Sequence, residues 1–147
     1  MTPQKSKELV IVGIGASAGG LEALQELLAS LPDDVGMAYV ISQHLSPTYK
    51  SMMVELLSKC TPKSVLEAKD RILIEGNTIY ITPPNKNIMI DGETIILQTP
   101  SSETFIPKPS VDIFFESLAI SKKNRAIGII LSGTGSDGSR GMQAIKA

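Results

Sequence analysis

The chain has 147 residues, 42% of them hydrophobic and 20% charged, with a formal net charge of −1. That length fits one domain with a real core, and the near-neutral balance excludes an electrostatic case for nucleic acid or an anionic membrane as partner. Cys60 is the only cysteine, so an intrachain disulfide and a cysteine metal site are excluded, which suits a reducing, cytoplasmic compartment.

The N-terminus is a mild decoy. Lys5 and Lys7 precede an apolar run, and Ala16-Ser17-Ala18 resembles a signal-peptidase site. The run is short, holds two glycines and is entered through Glu8, so Glu8–Ile14 reads instead as a buried parallel strand. No segment approaches the ~20 apolar residues of a transmembrane helix, so membrane insertion is not expected. Gly19-Gly20 opens a helix with Leu21, Leu24, Leu27, Leu28 and Leu31 on one stripe, stopped by Pro32. Met37–Ser42 is a second buried strand. A helix follows Ser46-Pro47-Thr48 and runs to about Cys60, with Met52, Met53, Leu56 and Leu57 inward and Pro62 beyond its end.

Two βα units in succession predict an α/β fold: a doubly wound, mainly parallel sheet with helices on both faces. The middle differs. Val65–Ala68, Thr78–Thr82, Lys86–Ile90 and Thr94–Gln98 are short strand candidates, and Asp91-Gly92 is a two-residue hairpin signal. Residues 64–99 therefore read as a small antiparallel hairpin insertion. After a proline-containing loop, Ser110 reads as an N-cap, with Asp112 in the first turn of a helix running to about Lys122. The basic cluster Lys122-Lys123-Asn124-Arg125 reads as cations at that helix's C-terminus. Arg125–Ser132 is the last strand, and Gly138–Ala147 begins a further helix.

Three of these strands end on different polar residues. The first runs into Gly15-Ala16-Ser17-Ala18-Gly19, the second into Gln43-His44, and the last into Gly133-Thr134-Gly135-Ser136-Asp137. C-terminal ends of parallel strands share one edge, where ligand sites form. Gly15–Gly19 fits the G-x-S-x-G nucleophile elbow, which places the residue after the serine, Ala18, as a candidate oxyanion donor. His44 is the only histidine, so a Ser-His-Asp mechanism has one possible base. Asp137 is the acid of choice; Asp112 is explained by its own helix dipole and Asp70 by a loop of the insertion. Ser17, His44 and Asp137 therefore form the expected triad. Two other readings stay open. Gly13-x-Gly15-x-x-Ala18 also fits a dinucleotide loop, although the second strand lacks the acid that would hold a ribose. A non-catalytic regulatory domain is the other.

The segments Ile14–Gly20, Gln43–Pro47, Pro109–Asp112 and Leu131–Gly138 resemble, in order and spacing, the catalytic domain of CheB-type chemotaxis protein-glutamate methylesterases. Ala18-Gly19-Gly20-Leu21-Glu22-Ala23-Leu24 is closest to members fused to a methyltransferase. The resemblance implies Ser17 as nucleophile, His44 as base, Asp137 as orienting acid, and the backbone of Thr134 at the oxyanion. It implies a methylated chemoreceptor as substrate, glutamine deamidation as a second activity, no metal or organic cofactor, and fused methyltransferase or signalling domains as partners. With the first strand so near Met1, no receiver domain is expected ahead of it. Family domains extend beyond the equivalent of Ala147, so a C-terminally truncated catalytic domain over residues 1–147 is expected, with an uncovered sheet edge prone to self-association.

Overall fold

Strand β1 (Val10–Ala16) is an interior strand of the main sheet, and all of its residues but the first are buried. A run with no polar face requires cover on both sides, and both sides are covered in the computed structural model. The structure describes residues 9–16, 21–32, 36–43, 53–83, 86–98, 111–131 and 145–146. In chain order β1 is followed by α1 (Leu21–Ala29), β2 (Met37–Gln43), α2 (Met53–Ser58), β3 (Ser64–Glu67), β4 (Ile72–Leu73) and β5 (Thr78–Ile81). Then come β6 (Asn87–Asp91), β7 (Thr94–Gln98), α3 (Val111–Lys122), a single 3-10 turn (Lys123–Arg125) and β8 (Ala126–Leu131).

Five strands pair in the order β3-β5-β2-β1-β8, every pairing parallel. A parallel strand alternates its side chains between two faces, and the buried residues divide accordingly. Val12, Ile14, Tyr39, Ile41, Ile79 and Ile81 pack with Leu24 and Leu28 of α1 and with Met53 and Leu57 of α2. Ile11, Ala38, Val40 and Tyr80 pack on the opposite face with Phe114, Phe115 and Leu118 of α3 and with Ile88, Ile90 and Ile95 of the hairpin. The expected α/β sheet with helices on both faces is what the chain forms.

Within residues 64–99 the antiparallel part is smaller than the sequence reading. The three-stranded antiparallel sheet contains only β4, β7 and β6, with the β6–β7 hairpin closing at Asp91↔Thr94 through Gly92 at φ +64°. Strands β3 and β5 belong to the parallel sheet instead. The physical reason is burial: all four residues of β5 are covered, and a short strand buried on both faces has no exposed row to betray its place.

Helix ends follow local chemistry. Helix α1 stops at Ala29, where the Ser30 hydroxyl donates back to the carbonyls of Glu26 (3.0 Å) and Leu27 (3.1 Å), three residues before Pro32. Helix α2 begins at Met53 among the described residues, so the start expected near Thr48 lies outside them, as does the helix start at Gly138. Lys122 ends α3 as the expected C-terminal cation, and it is also held from the side: its Nζ lies 2.9 Å from Glu93 Oε2, with side-chain exposures of 5% and 14%, tying α3 to the hairpin. Ser121 supports that seam by donating to the Ile90 carbonyl at 2.8 Å and accepting from the Gly92 N–H at 3.1 Å.

Candidate active site

Ala16, the last residue of β1, is in register with Gln43, the last of β2, and with Leu131, the last of β8. The described parts of three neighbouring parallel strands are therefore level here, at their C-terminal edge. The next residues in the chain are Ser17, His44 and Ser132. Ser17, Ala18, His44, Thr134 and Asp137 themselves lie outside the described residues.

The paths leaving that edge diverge. From β1 the chain passes to α1, whose Leu24 and Leu28 pack on one face of the sheet. From β8 it reaches Ile145, which packs on the other face with the α3 core. Adjacent strands whose connections leave on opposite faces define a topological switch point, and the crevice there is the usual ligand site of an open α/β sheet. Gly15 and Ala16 of the G-x-S-x-G segment and Leu131, which precedes the Gly133–Asp137 segment in the chain, lie at this edge.

The glycines of β1 have a packing role. A Cβ on Gly13 would lie 2.9 Å from Leu118 Cδ2 and 2.9 Å from Phe114 Cε2, and one on Gly15 would lie 2.6 Å from Val111 Cγ1. Both glycines thus open the α3 face so that the helix can press onto the strand. They also lie inside β1, paired with β2 on one side and β8 on the other. A dinucleotide loop needs its glycines in the turn beyond the strand, with free backbone N–H groups for the pyrophosphate. Gly13 and Gly15 do not meet that need, so the dinucleotide reading loses its observational basis.

Contact of Val111 with Gly15 also places the N-terminus of α3 at the same edge as the strand ends. Asp112, half-buried in the first turn of α3, therefore stands closer to the crevice than a purely local dipole reading implied. Asp70 is accounted for elsewhere: its Oδ1 accepts from the Leu97 N–H at 2.8 Å and its Oδ2 lies 3.6 Å from Arg71 Nε.

Ser42 is the residue that sequence reading passed over. It is completely buried, sits beside Gly15 in the register, and its Oγ has no hydrogen-bond partner among the described residues. The carbonyl before it is taken: Ile41 O accepts from the Thr82 N–H (3.0 Å) and the Thr82 hydroxyl (2.7 Å). A serine near the end of an apolar strand carries no sequence signal that separates it from a cap. Among the described residues no group of three or more His, Cys, Asp or Glu could hold a metal ion, and no helix is long and apolar enough to cross a membrane.

Against known proteins, residues 12–147 match the family model described as CheB methylesterase. A Mesorhizobium japonicum protein-glutamate methylesterase/protein-glutamine glutaminase is 33% identical over 136 residues, covering 92% of this chain and 40% of that protein. The Treponema denticola protein of the same description is 35% identical over 141 residues, covering 93% and 38%. A Leptospira interrogans relative is 31% identical over 133 residues, 90% of this chain and 69% of its own length. The crystal structure of the Thermotoga maritima CheB methylesterase catalytic domain superposes with a TM-score of 0.81 at 26% identity, over 94% of this chain and 75% of that one.

Proposed function

The chain belongs to the CheB methylesterase family, and from that premise we propose that it is a serine hydrolase of glutamyl methyl esters acting through Ser17, His44 and Asp137. One observation carries the reading: the level ends of β1, β2 and β8 at Ala16, Gln43 and Leu131. Ser17 and His44 each follow those ends by one peptide unit, about 3.8 Å between Cα atoms, on strands about 4.8 Å apart. Connectivity alone thus holds nucleophile and base within about 12 Å of one another at the Cα level, a limit that includes the separations of about 10 Å or less at which a serine hydroxyl reaches an imidazole nitrogen. Asp137 follows Leu131 by six residues, from the strand on the other side of β1.

In this mechanism His44 takes the Ser17 proton as Oγ attacks the γ-glutamyl carbonyl carbon. The oxyanion is met by backbone N–H groups, with Ala18 and Thr134 as the candidates. Collapse breaks the ester C–O bond, and the leaving methoxide takes the proton from His44 and departs as methanol. Water, deprotonated by His44, then hydrolyses the acyl-enzyme to the free glutamate. Asp137 holds the imidazole tautomer and stabilises its cation. The same acyl-enzyme forms from a glutamine side chain with loss of ammonia, which accounts for the second activity in the relatives' description. No metal or organic cofactor enters any step.

The substrate class is a methylated chemoreceptor-type protein in the cytoplasm. The chain spans about two fifths of the Mesorhizobium and Treponema relatives, so covalently linked signalling or methyltransferase domains are the partners proposed. A fluorophosphonate probe tests the reading. It should label wild type on the peptide containing Ser17 and leave Ser17→Ala unlabelled, while NAD and ATP titrations show no saturable binding. Nucleotide binding without labelling would overturn it.

A further inference from the structure

Helix α3 meets β1 through a smooth contact. Val111 lies over Gly15, and Phe114 and Leu118 lie over Gly13. Apolar burial has no direction, and two glycines give the strand no side chain to key into the helix. Such a contact holds α3 down without fixing where it sits along its axis. Directional contacts come from the other end of the helix, where it meets the hairpin. Ser117 Oγ accepts from the Ile90 N–H at 2.9 Å, and Ser121 bonds the Ile90 carbonyl and the Gly92 N–H. Lys122 Nζ then reaches Glu93 Oε2. The two serines occupy the outer edge of β6, the marginal strand of its sheet.

The ion pair is the informative member. Both side chains are nearly out of water, and well-packed apolar residues in place of such a pair are often as stable or more stable. Stability therefore does not account for a lysine and a glutamate here. What a buried polar contact supplies best is register, because only one alignment brings both partners together. We propose that the Lys122–Glu93 pair, aided by Ser117 and Ser121, is a register lock on α3 that positions the end of β1 from the far end of the helix. Val111 and Lys122 are eleven residues apart, about 16 Å along the axis. With the lock closed, Val111 is held against Gly15, two residues before Ser17. With it open, α3 slides over Gly13 and Gly15 and unseats the strand that leads to Ser17. Lys122 and Glu93 are thus positioning residues that act through α3. Their effect on turnover rests on the serine-hydrolase reading, whereas the lock itself does not.

Lys122→Met/Glu93→Leu tests the lock, with Gly15→Ala made both in it and in wild type and all four proteins followed by thermal unfolding. Sites this far apart are additive by default. The lock predicts coupling instead: the fall in melting temperature caused by Gly15→Ala should be roughly half as large or less in the apolar pair, where α3 slides away from the added Cβ. The apolar pair by itself should melt with wild type or above it. Its kcat for methanol release from methylated receptor should nevertheless drop roughly tenfold with KM unchanged, as a small displacement of a reacting group entails. Lys122→Met alone gives the same comparison if the apolar pair does not fold. Equal Gly15→Ala penalties in the two backgrounds would overturn the lock. Wild-type kcat in the apolar pair would overturn its service to the active site. Turnover that persists in Ser17→Ala would overturn the serine-hydrolase reading, and the thermal comparison would still decide the lock.

Discussion

Gly15→Ala tests how α3 is seated on the strand that leads to Ser17. A Cβ there would lie 2.6 Å from Val111 Cγ1 and 3.2 Å from Cγ2, whereas carbon atoms rest at about 3.5–4.0 Å. Val111 is 3% exposed and stiff at χ1 because it is β-branched, so its methyl groups cannot swing aside. The first turn of α3 must instead lift by about 1 Å from β1. Overpacking of this kind costs about 1–3 kcal/mol. In a domain of this size that lowers the melting temperature by roughly 3–10 °C. Val111→Ala alone removes two buried methyl groups and costs roughly 2 kcal/mol. In the Gly15→Ala background the same truncation also removes the clash, so the double variant should exceed additivity by roughly 1–2 kcal/mol. Thermal unfolding of the four proteins, followed by circular dichroism, measures the coupling. A Gly15→Ala protein that melts with wild type, or a strictly additive double variant, would refute the packing argument.

Asp137→Asn should cut turnover by about 10⁴-fold, as loss of an orienting acid does, while Asp112→Asn, which takes one negative charge from the first turn of α3, should change it less than about tenfold; steady-state kinetics showing the reverse would reassign the acid to the first turn of α3. The pH dependence of kcat/KM should rise through one ionisation in the histidine range, because the base must be neutral, and the carboxylate partner should displace that step upward. A profile flat from about pH 5 to 8 would remove His44 from the mechanism. Burial pushes the Tyr80 hydroxyl above the ordinary tyrosine value of 10.0. That proton is held more tightly folded than unfolded, so its contribution to stability is full below pH 10.0 and is lost as pH climbs towards the raised folded value. Denaturant titrations of Tyr80→Phe should accordingly show a shallower alkaline loss than wild type, and equal slopes would contradict it.

Much of this fold was written in short apolar runs. Leu9–Ile14 and Ala38–Ser42 hold no polar face, and each became a central strand covered on both sides. The leucine stripe of α1 proved a packing face, with Leu24 and Leu28 buried. Less legible was anything fixed by partners distant in sequence. Thr78–Ile81 read as part of the antiparallel insertion, yet it is a parallel strand buried between β2 and β3. Lys122 is the helix-end cation its position implies, but its ion pair with Glu93, 29 residues earlier, has no local signal. Gly13 and Gly15 matched a phosphate-loop pattern because strand packing and phosphate loops both select for a missing Cβ; only the position of Val111, Phe114 and Leu118 tells the two apart. Ser42 was silent for the same reason, since burial of a hydroxyl is a tertiary fact.

The most direct test is methanol release from a methylated chemoreceptor, measured with wild type and with Ser17→Ala under identical conditions. Wild type should release methanol catalytically, and Ser17→Ala should lose roughly 10⁶-fold in turnover, the scale expected when a serine hydrolase loses its nucleophile, while melting with wild type. Retention of more than about a tenth of wild-type turnover by Ser17→Ala, against the near-total loss a missing nucleophile entails, would contradict the serine-hydrolase reading.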